Sequence, residues 1–238
     1  MPKISSVSAF FPAYNDAGTI ASMVVAVVRT LQDLTDDYEV IVVNDGSVDY
    51  TAEVLDELSR IYSQMRVIHH EGNKGYGAAL RTGFAAARKE WLFYTDGDAQ
   101  YDPHELTKLV DGLGDQVDIV NGYKIARNDP LHRVIIGKLY HFLMRIAFGF
   151  RLRDVDCDFR LIRRRILDEV PLESTSGTIC VEMVTKFEYL GYHFAEVPVH
   201  HYHRAYGKSQ FFAFPRLFRT GVQLILLWWK LVIRKDYR

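Results

Sequence analysis

The sequence predicts an α/β fold with a mostly parallel, Rossmann-like sheet that carries helices on both of its faces. Two observations predict this class. Short apolar segments alternate with amphipathic stretches through the first half of the 238 residues, which is the pattern of repeated strand–helix–strand units. The apolar segments are also rich in β-branched and aromatic residues along their whole length, as strands buried on both faces are. With 48% hydrophobic and 25% charged residues, the chain has the composition of a globular protein.

Each predicted strand in the first half is short and is bounded by Asn, Asp, Gly or Pro. In chain order, the strands are predicted at Val7–Phe11, Tyr38–Val43, Met65–His69, Trp91–Thr95 and Asp118–Val120. The segments between them have helical periodicity. These helices are predicted at Thr19–Leu34, Tyr50–Tyr62, Gly77–Lys89 and Pro103–Leu113. In a sheet of this kind, ligands bind beyond the carboxyl ends of the strands.

The second half is predicted to hold longer amphipathic helices. Its elements are a helix at Leu131–Phe150, a helix at 178–190, a strand at Phe194–Val199 and an aromatic, basic tail at Phe211–Arg238. The longest uncharged apolar stretch of the tail, Gly221–Trp229, is far shorter than the ~20 residues that cross a bilayer. The tail therefore either lies in a membrane interface or packs on the domain or on a second subunit.

The two halves of the chain have opposite charge. Residues 1–122 hold nine Lys and Arg against nineteen Asp and Glu, whereas residues 123–238 hold twenty against eleven, so a net charge of −1 hides halves of −10 and +9. The acidic half suits cation or sugar chemistry, and the basic half suits a partner that carries phosphate. The alternative is two solvated faces that pair within one fold.

Carboxylates follow three of the predicted strands. The first strand leads to Asp16, the second to Asp45, and the fourth to Asp96 and Asp98. The last two are two residues apart, so their side chains can point to one side where the strand ends. A lone Asp-x-Asp is typical of turns, but three acidic strand ends at one sheet edge favour a site for Mg²⁺ or Mn²⁺ shared with a substrate phosphate.

Several functional classes are excluded or disfavoured. The Gly-rich turn Asn73–Gly77 lacks the Gly-Lys-Ser/Thr of a P-loop, and no Gly-x-Gly-x-x-Gly follows the first strand, so ATP hydrolysis and NAD binding are not expected. Two cysteines, Cys157 and Cys180, cannot form a disulfide framework and fit a reducing compartment. We expect no nucleic-acid partner, because Arg163–Arg165 at a short turn suits solvent or anionic lipid better.

An ordered set of motifs resembles the family 2 glycosyltransferases with the GT-A fold. The similarity is greatest to the polyprenyl-phosphate transferases of the dolichol-phosphate mannose synthase and GtrB-like group, and it covers roughly residues 7–212. The blocks that carry it are Pro12–Asn15, Val43–Ser47, Asn73–Gly77, Asp96–Gln100, Asp154–Arg160, Glu182, Val197–Val199 and Arg204–Ser209. The resemblance implies a GT-A nucleotide-diphospho-sugar transferase fold with amphipathic helices at the C-terminus.

The resemblance also implies roles for individual residues. The donor nucleotide would be bound by Pro12, Ala13, Tyr14, Asp16, Asp45, Lys74 and Asp96. Asp98, Gln100 and Asp96 would hold the metal, and Asp98, Arg204 and Asp96 would be catalytic. The acceptor phosphate would be bound by Arg127, Arg133, Lys124 and Ser209. Asp158 stands where the family often has Gly, Lys124 where it often has Arg, and Asp16 where it often has Glu.

The expected function is an inverting, Mg²⁺- or Mn²⁺-dependent transfer of a sugar from a UDP- or GDP-sugar to a polyprenyl phosphate. We expect a cytoplasmic protein, peripheral at the inner face of the membrane, and leave a homo-oligomer open. The expected divisions are a 1–212 glycosyltransferase domain, with a nucleotide-sugar half at 1–122 and an acceptor half at 123–212, and an amphipathic helix at 213–238. Two alternatives remain, namely a saccharide acceptor in polysaccharide synthesis and a non-catalytic nucleotide-sugar-binding scaffold.

Overall fold

A seven-stranded sheet forms the centre of the molecule. The computed structural model describes residues 3–125, 131–206 and 214–237, without the side chains of 131–136, 138 and 214–217. The strands are β1 Val7–Ala13, β2 Tyr38–Asn44, β3 Met65–His69, β4 Trp91–Thr95, β5 Ile119–Ile125, β6 Phe159–Arg163 and β7 Phe194–His200. Their order is β3-β2-β1-β4-β6-β5-β7. The pairings among β1 to β4 are all parallel, as the sequence predicted.

Helices cover both faces of the sheet, which confirms the predicted layers. They are α1 Ile20–Leu34, α2 Thr51–Ile61, α3 Tyr76–Ala86, α4 Leu106–Asp111, α5 Leu131–Phe148, α6 Arg164–Glu169, α7 Ile179–Tyr189 and α8 Phe214–Trp228. A 3₁₀ turn at Pro103–Glu105 precedes α4, and a π-helical turn at Trp229–Ile233 follows α8.

Alternate residues of the inner strands feed two separate cores. Phe11 of β1 packs with α1, α2 and α4 on one face. Its neighbour Phe10 packs with α3, α6 and α7 on the other face. Successive side chains of a strand point to opposite faces, so a fully apolar strand supplies both cores. All seven residues of β1 are buried for this reason.

Strand β6 was not predicted from the sequence, and it runs antiparallel to both β4 and β5. Its sequence contains Arg160, which is 1% exposed and lies inside the sheet. The guanidinium donates to Asn121 Oδ1, Tyr94 Oη and the carbonyl of Val155. A buried Arg interrupts the apolar run by which an inner strand is recognised in a sequence. The hydrogen bonds to residues distant in the chain offset the cost of burying its charge.

Helices α5, α7 and α8 of the second half share a third core. Leu224, Leu227 and Leu231 are buried against Phe148 and Val181. The tail therefore packs on the domain through one of its faces. None of the helices within the described residues combines the length and the apolar character needed to cross a bilayer.

Candidate active site

The carboxyl ends of β2, β1 and β4 lie side by side, because these strands are neighbours in the sheet. Asp45 follows β2, Asp16 follows β1, and Asp96 and Asp98 follow β4. Parallel strands end at the same edge, so the three acidic strand ends of the sequence occupy one edge of the sheet.

The loop after β1 is fixed to the loop after β2. Asn15 adopts a left-handed φ of 58°, which Asn tolerates better than most residues. Its backbone N–H donates to Ser47 Oγ at 3.0 Å, and its Oδ1 accepts from the N–H of Val48 at 2.8 Å. Pro12 and Ala13 are buried within β1, so they border the site through backbone and ring atoms rather than through polar side chains.

Asp16 is a buried carboxylate in this loop. Its Oδ2 accepts from the N–H of Tyr14 at 2.9 Å. Burial raises the pKa of Asp16 to about 6, with a further increase from the nearby charge of Asp98 that Arg204 opposes. The backbone N–H of Asp16 donates to Thr51 Oγ1 at 2.9 Å, which joins the loop to the start of α2.

Asp45 is 3% exposed and organises the Gly-rich turn before α3. Its Oδ1 accepts from His70 Nδ1 at 2.7 Å and from the N–H of Lys74 at 2.9 Å. Its Oδ2 accepts from the N–H of Gly75 at 2.9 Å. Gly75 has a φ of 99°, a conformation that favours glycine. The Lys74 side chain is exposed, so the backbone of Lys74 is its contribution to this network.

The Gly-rich turn, held in position by Asp45, places the Tyr76 hydroxyl against Asp96. The Tyr76 hydroxyl donates to Asp96 Oδ1 at 2.8 Å. Burial, together with the charges of Asp158 and Asp98, raises the pKa of Asp96 well above its usual range. The Tyr76 contact lowers that pKa but does not cancel the increase. A continuous chain of contacts therefore runs from Asp45 at the end of β2 to Asp96 at the end of β4.

Four carboxylates, Asp16, Asp96, Asp98 and Asp158, form what we call the acidic cluster. Burial raises the pKa of Asp98, the charge of Asp158 adds to the increase, and the Arg204 guanidinium opposes it. Asp158 also accepts from Cys180 Sγ at 3.1 Å. Among the described residues, no three His, Cys, Asp or Glu side chains stand in a preformed metal-binding arrangement. Carboxylates that raise one another's pKa are nonetheless hard oxygen donors that a divalent cation would stabilise.

A segment from the far end of the chain covers the acidic cluster. Arg204 forms an ion pair with Asp98. The backbone N–H of Tyr202 donates to the carbonyl of Gln100 at 2.8 Å, and Gln100 Nε2 donates back to the carbonyl of Tyr202 at 3.2 Å. A Cβ added to Gly18 would lie 2.6 Å from the Tyr206 ring, so the loop after β1 makes room for this segment by lacking a side chain there.

The predicted acceptor residues are only partly described. Lys124 Nζ donates to the carbonyl of Asp156 at 2.5 Å and lies 3.8 Å from Asp154 Oδ1. It is 10% exposed, at the end of β5, and β6 separates that strand from β4. Arg127 and Ser209 lie outside the described residues, as does the side chain of Arg133. Phosphate binding by these four residues stays a prediction.

Sequence reasoning assigned no individual role to two side chains that hold the site together. His70 and Tyr76 support Asp45 and Asp96, and Asp158 adds its charge to the acidic cluster. For Asp158, the sequence does give a signal, because this residue stands where the family often has Gly and so adds a carboxylate. Nothing local marks a His or a Tyr that supports a carboxylate on another strand.

The comparisons with known proteins concern the family and the fold. The family model for Glycosyl transferase family 2 matches residues 8–171. Glycosyltransferase AglD of Haloferax volcanii is 30% identical over 96% of this chain and 38% of its own length. The undecaprenyl-phosphate 4-deoxy-4-formamido-L-arabinose transferase of Proteus mirabilis is 30% identical over 88% of this chain and 64% of its own length. The chain thus spans less than two thirds of either relative.

A solved structure shares the fold. Glucosyl-3-phosphoglycerate synthase from Mycobacterium tuberculosis, crystallised with Mn²⁺, UDP and glucosyl-3-phosphoglycerate, aligns with a TM-score of 0.71 at 22% identity. The alignment covers 94% of this chain and 79% of that one. The likeness confirms the expected GT-A fold.

Proposed function

Because this chain belongs to glycosyl transferase family 2, we propose that it transfers a sugar from a nucleotide-sugar donor to a polyprenyl phosphate. The observation that carries the proposal is the acidic cluster at the end of β4, covered by Arg204 from the C-terminal part of the chain. A donor diphosphate needs positive charge beside it, and this arrangement supplies a guanidinium next to cation-binding carboxylates.

The residues of the acidic cluster fit a divalent cation. Asp98 and Asp96, with the amide of Gln100, would hold Mg²⁺ or Mn²⁺, as sequence similarity implies. A bound cation would neutralise the charge that develops on the leaving diphosphate. The raised pKa values of Asp96 and Asp98 support this assignment, because a cation would stabilise the ionised carboxylates.

The chain's own residues position the two reacting groups. Arg204 would exchange its contact with Asp98 for a donor phosphate oxygen, and Asp45 would orient the base. An acceptor phosphate oxygen attacks the anomeric carbon, the bond from that carbon to the diphosphate breaks, and the nucleoside diphosphate leaves with inverted configuration at the sugar. A phosphate is already ionised near neutral pH, since its second pKa is about 6, so no general base is required.

The relatives' names support a lipid acceptor, since the Proteus mirabilis protein is an undecaprenyl-phosphate transferase. The surface supports it independently. Helix α5 exposes Leu139, Phe142, Leu143 and Ile146, and α8 with its π-helical turn exposes Phe218, Val222, Ile225, Leu226, Trp229 and Ile233. We call these residues the exposed apolar rows. Exposed Arg145 and Arg219 lie on these helices, and exposed Arg234 follows the π-helical turn. Apolar rows flanked by basic residues suit an anionic membrane surface.

The test is a donor screen with the purified chain. Radiolabelled UDP- and GDP-sugars are supplied with undecaprenyl phosphate and Mn²⁺, and the label in the organic phase is counted. We expect one donor to label the lipid, and the label to disappear in Asp98→Asn. Label that never enters the organic phase, while a saccharide acceptor becomes labelled, would contradict the lipid acceptor. Nucleotide binding without any transfer would favour a non-catalytic scaffold.

A further inference from the structure

The hydrogen bonds of Asp45 leave it with little capacity for a base. A carboxylate offers about four lone-pair sites, two on each oxygen. Oδ1 already accepts from His70 Nδ1 and from the N–H of Lys74, and Oδ2 accepts from the N–H of Gly75. Counted over the part of the chain that the structure describes, one lone pair on Oδ2 therefore remains for a ligand.

The state of His70 follows from its two partners. An ionised Asp45 can only accept, so the imidazole Nδ1 carries a proton and donates it at 2.7 Å. On the other side of the ring, Nε2 lies 3.0 Å from Thr82 Oγ1 on α3. Thr82 thus holds the ring in the orientation that occupies Oδ1. His70 is 9% exposed, so solvent does not readily displace this contact.

The nucleobases differ in the number of donors they present to a carboxylate. Guanine presents two parallel donors, N1–H and the exocyclic amino group, which pair with both oxygens of one carboxylate. Uracil presents a single imide N–H. Cytosine and adenine present an amino group beside a ring nitrogen that is itself an acceptor, which would face the carboxylate and repel it. A site with one remaining acceptor position fits the single imide donor and leaves one guanine donor unpaired, which is costly in a buried site.

We infer that the donor is a uridine diphosphate sugar, and that His70 is a positioning residue that sets this preference by occupying one oxygen of Asp45. This inference rests on the proposed function, because it assumes that Asp45 receives the base of a nucleotide-sugar donor. The motif alone leaves both uracil and guanine open as the donor base, and this inference selects uracil.

Isothermal titration of the full chain with UDP, GDP and CDP, each in the presence of Mn²⁺, tests the base. We expect UDP to bind and both other nucleotides to bind at least about tenfold more weakly. GDP that binds as tightly as UDP would overturn the inference and leave the proposed function standing. Failure of all three nucleotides to bind would instead overturn the proposed function, and the inference would fall with it.

Three variants test the role of His70. His70→Leu frees the second lone pair of Oδ1, so the preference for UDP over GDP should shrink to about threefold or less. His70→Asn keeps an N–H donor and should retain the preference. His69→Leu is the matched control, because His69 contacts Asn44 and Asp56 rather than Asp45. An unchanged preference in His70→Leu would overturn the role of His70. If that variant does not fold, the smaller substitution His70→Ala takes its place, since it frees the same lone pair, and an unchanged preference in it would overturn the role.

Discussion

Asp98 has charged neighbours of both signs, and these neighbours have opposite effects on the ionisation of its carboxylate. The guanidinium of Arg204 stabilises the ionised carboxylate, whereas burial and the charge of Asp158 favour its protonated form. A carboxylate whose ion-pair partner among the described residues is Arg204 can exchange that partner for a metal cation. This is the property that a site for a metal-bound diphosphate requires.

Asp98→Asn tests this residue directly. The amide keeps the shape of the side chain but cannot supply a negative charge to a cation, so we expect the transfer rate to fall by about 100-fold or more. Asp102→Asn is the matched control, because Asp102 lies in the same loop and caps the 3₁₀ turn through a contact with the N–H of His104. That contact is open to Asn as well. A transfer rate within twofold of wild type in Asp98→Asn would remove Asp98 from the mechanism.

Asp16 gives a pH-dependent prediction. Burial raises its pKa from 3.8 to about 6, so the folded protein binds more protons than the unfolded chain between those values. The free energy of unfolding therefore loses a contribution as pH rises through this window. We expect Asp16→Asn, which keeps an acceptor for the N–H of Tyr14, to be about 1–3 kcal/mol more stable than wild type at pH 7.5.

The same comparison at pH 4 should show little difference, since Asp16 is then protonated in the folded state. Urea unfolding at the two pH values provides the measurement. Asp33→Asn, on the exposed face of α1, is the control and should change stability by less than about 0.5 kcal/mol at either pH. An Asp16→Asn variant that is less stable than wild type at pH 7.5 would contradict this prediction, because the ionised carboxylate would then stabilise the fold.

At this scale, the sequence predicts which carboxylates reach the sheet edge but not what holds them. Asp45 and Asp98 follow recognisable strands, so strand order places them without further information. His70 reaches Asp45 because β3 pairs in parallel with β2 and places His69 opposite Asn44, so the residues that follow the two strands are neighbours. Contacts of that kind depend on tertiary structure, which local patterns do not encode.

At the scale of elements, helix α7 supports the Gly-rich turn from behind. Glu182 accepts from the N–H groups of Glu173 and Ser174 at 3.0 and 2.8 Å, and Lys186 lies 3.0 Å from it. The carbonyl of Thr175, in the same loop, accepts from the N–H of Gly77 at 3.0 Å. The start of α3, and with it Tyr76, is therefore held by a buried ion pair on another helix.

Glu182→Ala should be strongly destabilising. Lys186 is 1% exposed and would remain as a buried charge without its carboxylate, which costs about 3–5 kcal/mol. The exposed pair Arg164–Asp168 has the same i,i+4 spacing, so Asp168→Ala is the control and should cost less than about 1 kcal/mol. Equal effects in denaturant unfolding would mean that the buried pair adds nothing beyond an exposed one.

The predicted elements agree with the structure wherever one helix or strand face is uniformly apolar. Helix α1 illustrates this agreement, since Val24, Val27 and Leu31 are fully buried. Strand β5 extends to Ile125, beyond the predicted Val120, because Gly122 and Lys124 have no apolar pattern. Strand β6 was missed because its charge, Arg160, is satisfied by partners that are distant in sequence.

At the scale of the whole molecule, the acidic half contributes Asp16, Asp45, Asp96 and Asp98, and the basic half contributes Asp158, Arg204 and the helices with the exposed apolar rows. The composition predicted this division, but only the fold brings Arg204 onto Asp98. The family resemblance is confirmed by the match over residues 8–171. The division into a 1–212 domain and a 213–238 helix, and the peripheral location, stay predictions.

The exposed apolar rows lead to a prediction about membrane binding. We expect the double variant Ile146→Asp and Ile225→Asp to reduce flotation with vesicles of phosphatidylglycerol and phosphatidylethanolamine by about tenfold or more, because both side chains are two-thirds exposed and would enter the interface. Ile61→Asp is the control, since Ile61 is 70% exposed at the end of α2, away from these helices. If the double variant floats as well as Ile61→Asp does, the exposed apolar rows do not bind the membrane and would contact another partner.

A crystal structure of the protein with UDP and Mn²⁺ tests the account as a whole. We predict Mn²⁺ on Asp98, the diphosphate against Arg204, and the uracil imide on Oδ2 of Asp45. A nucleotide bound away from the ends of β1, β2 and β4, with the ion pair between Arg204 and Asp98 intact, would contradict it.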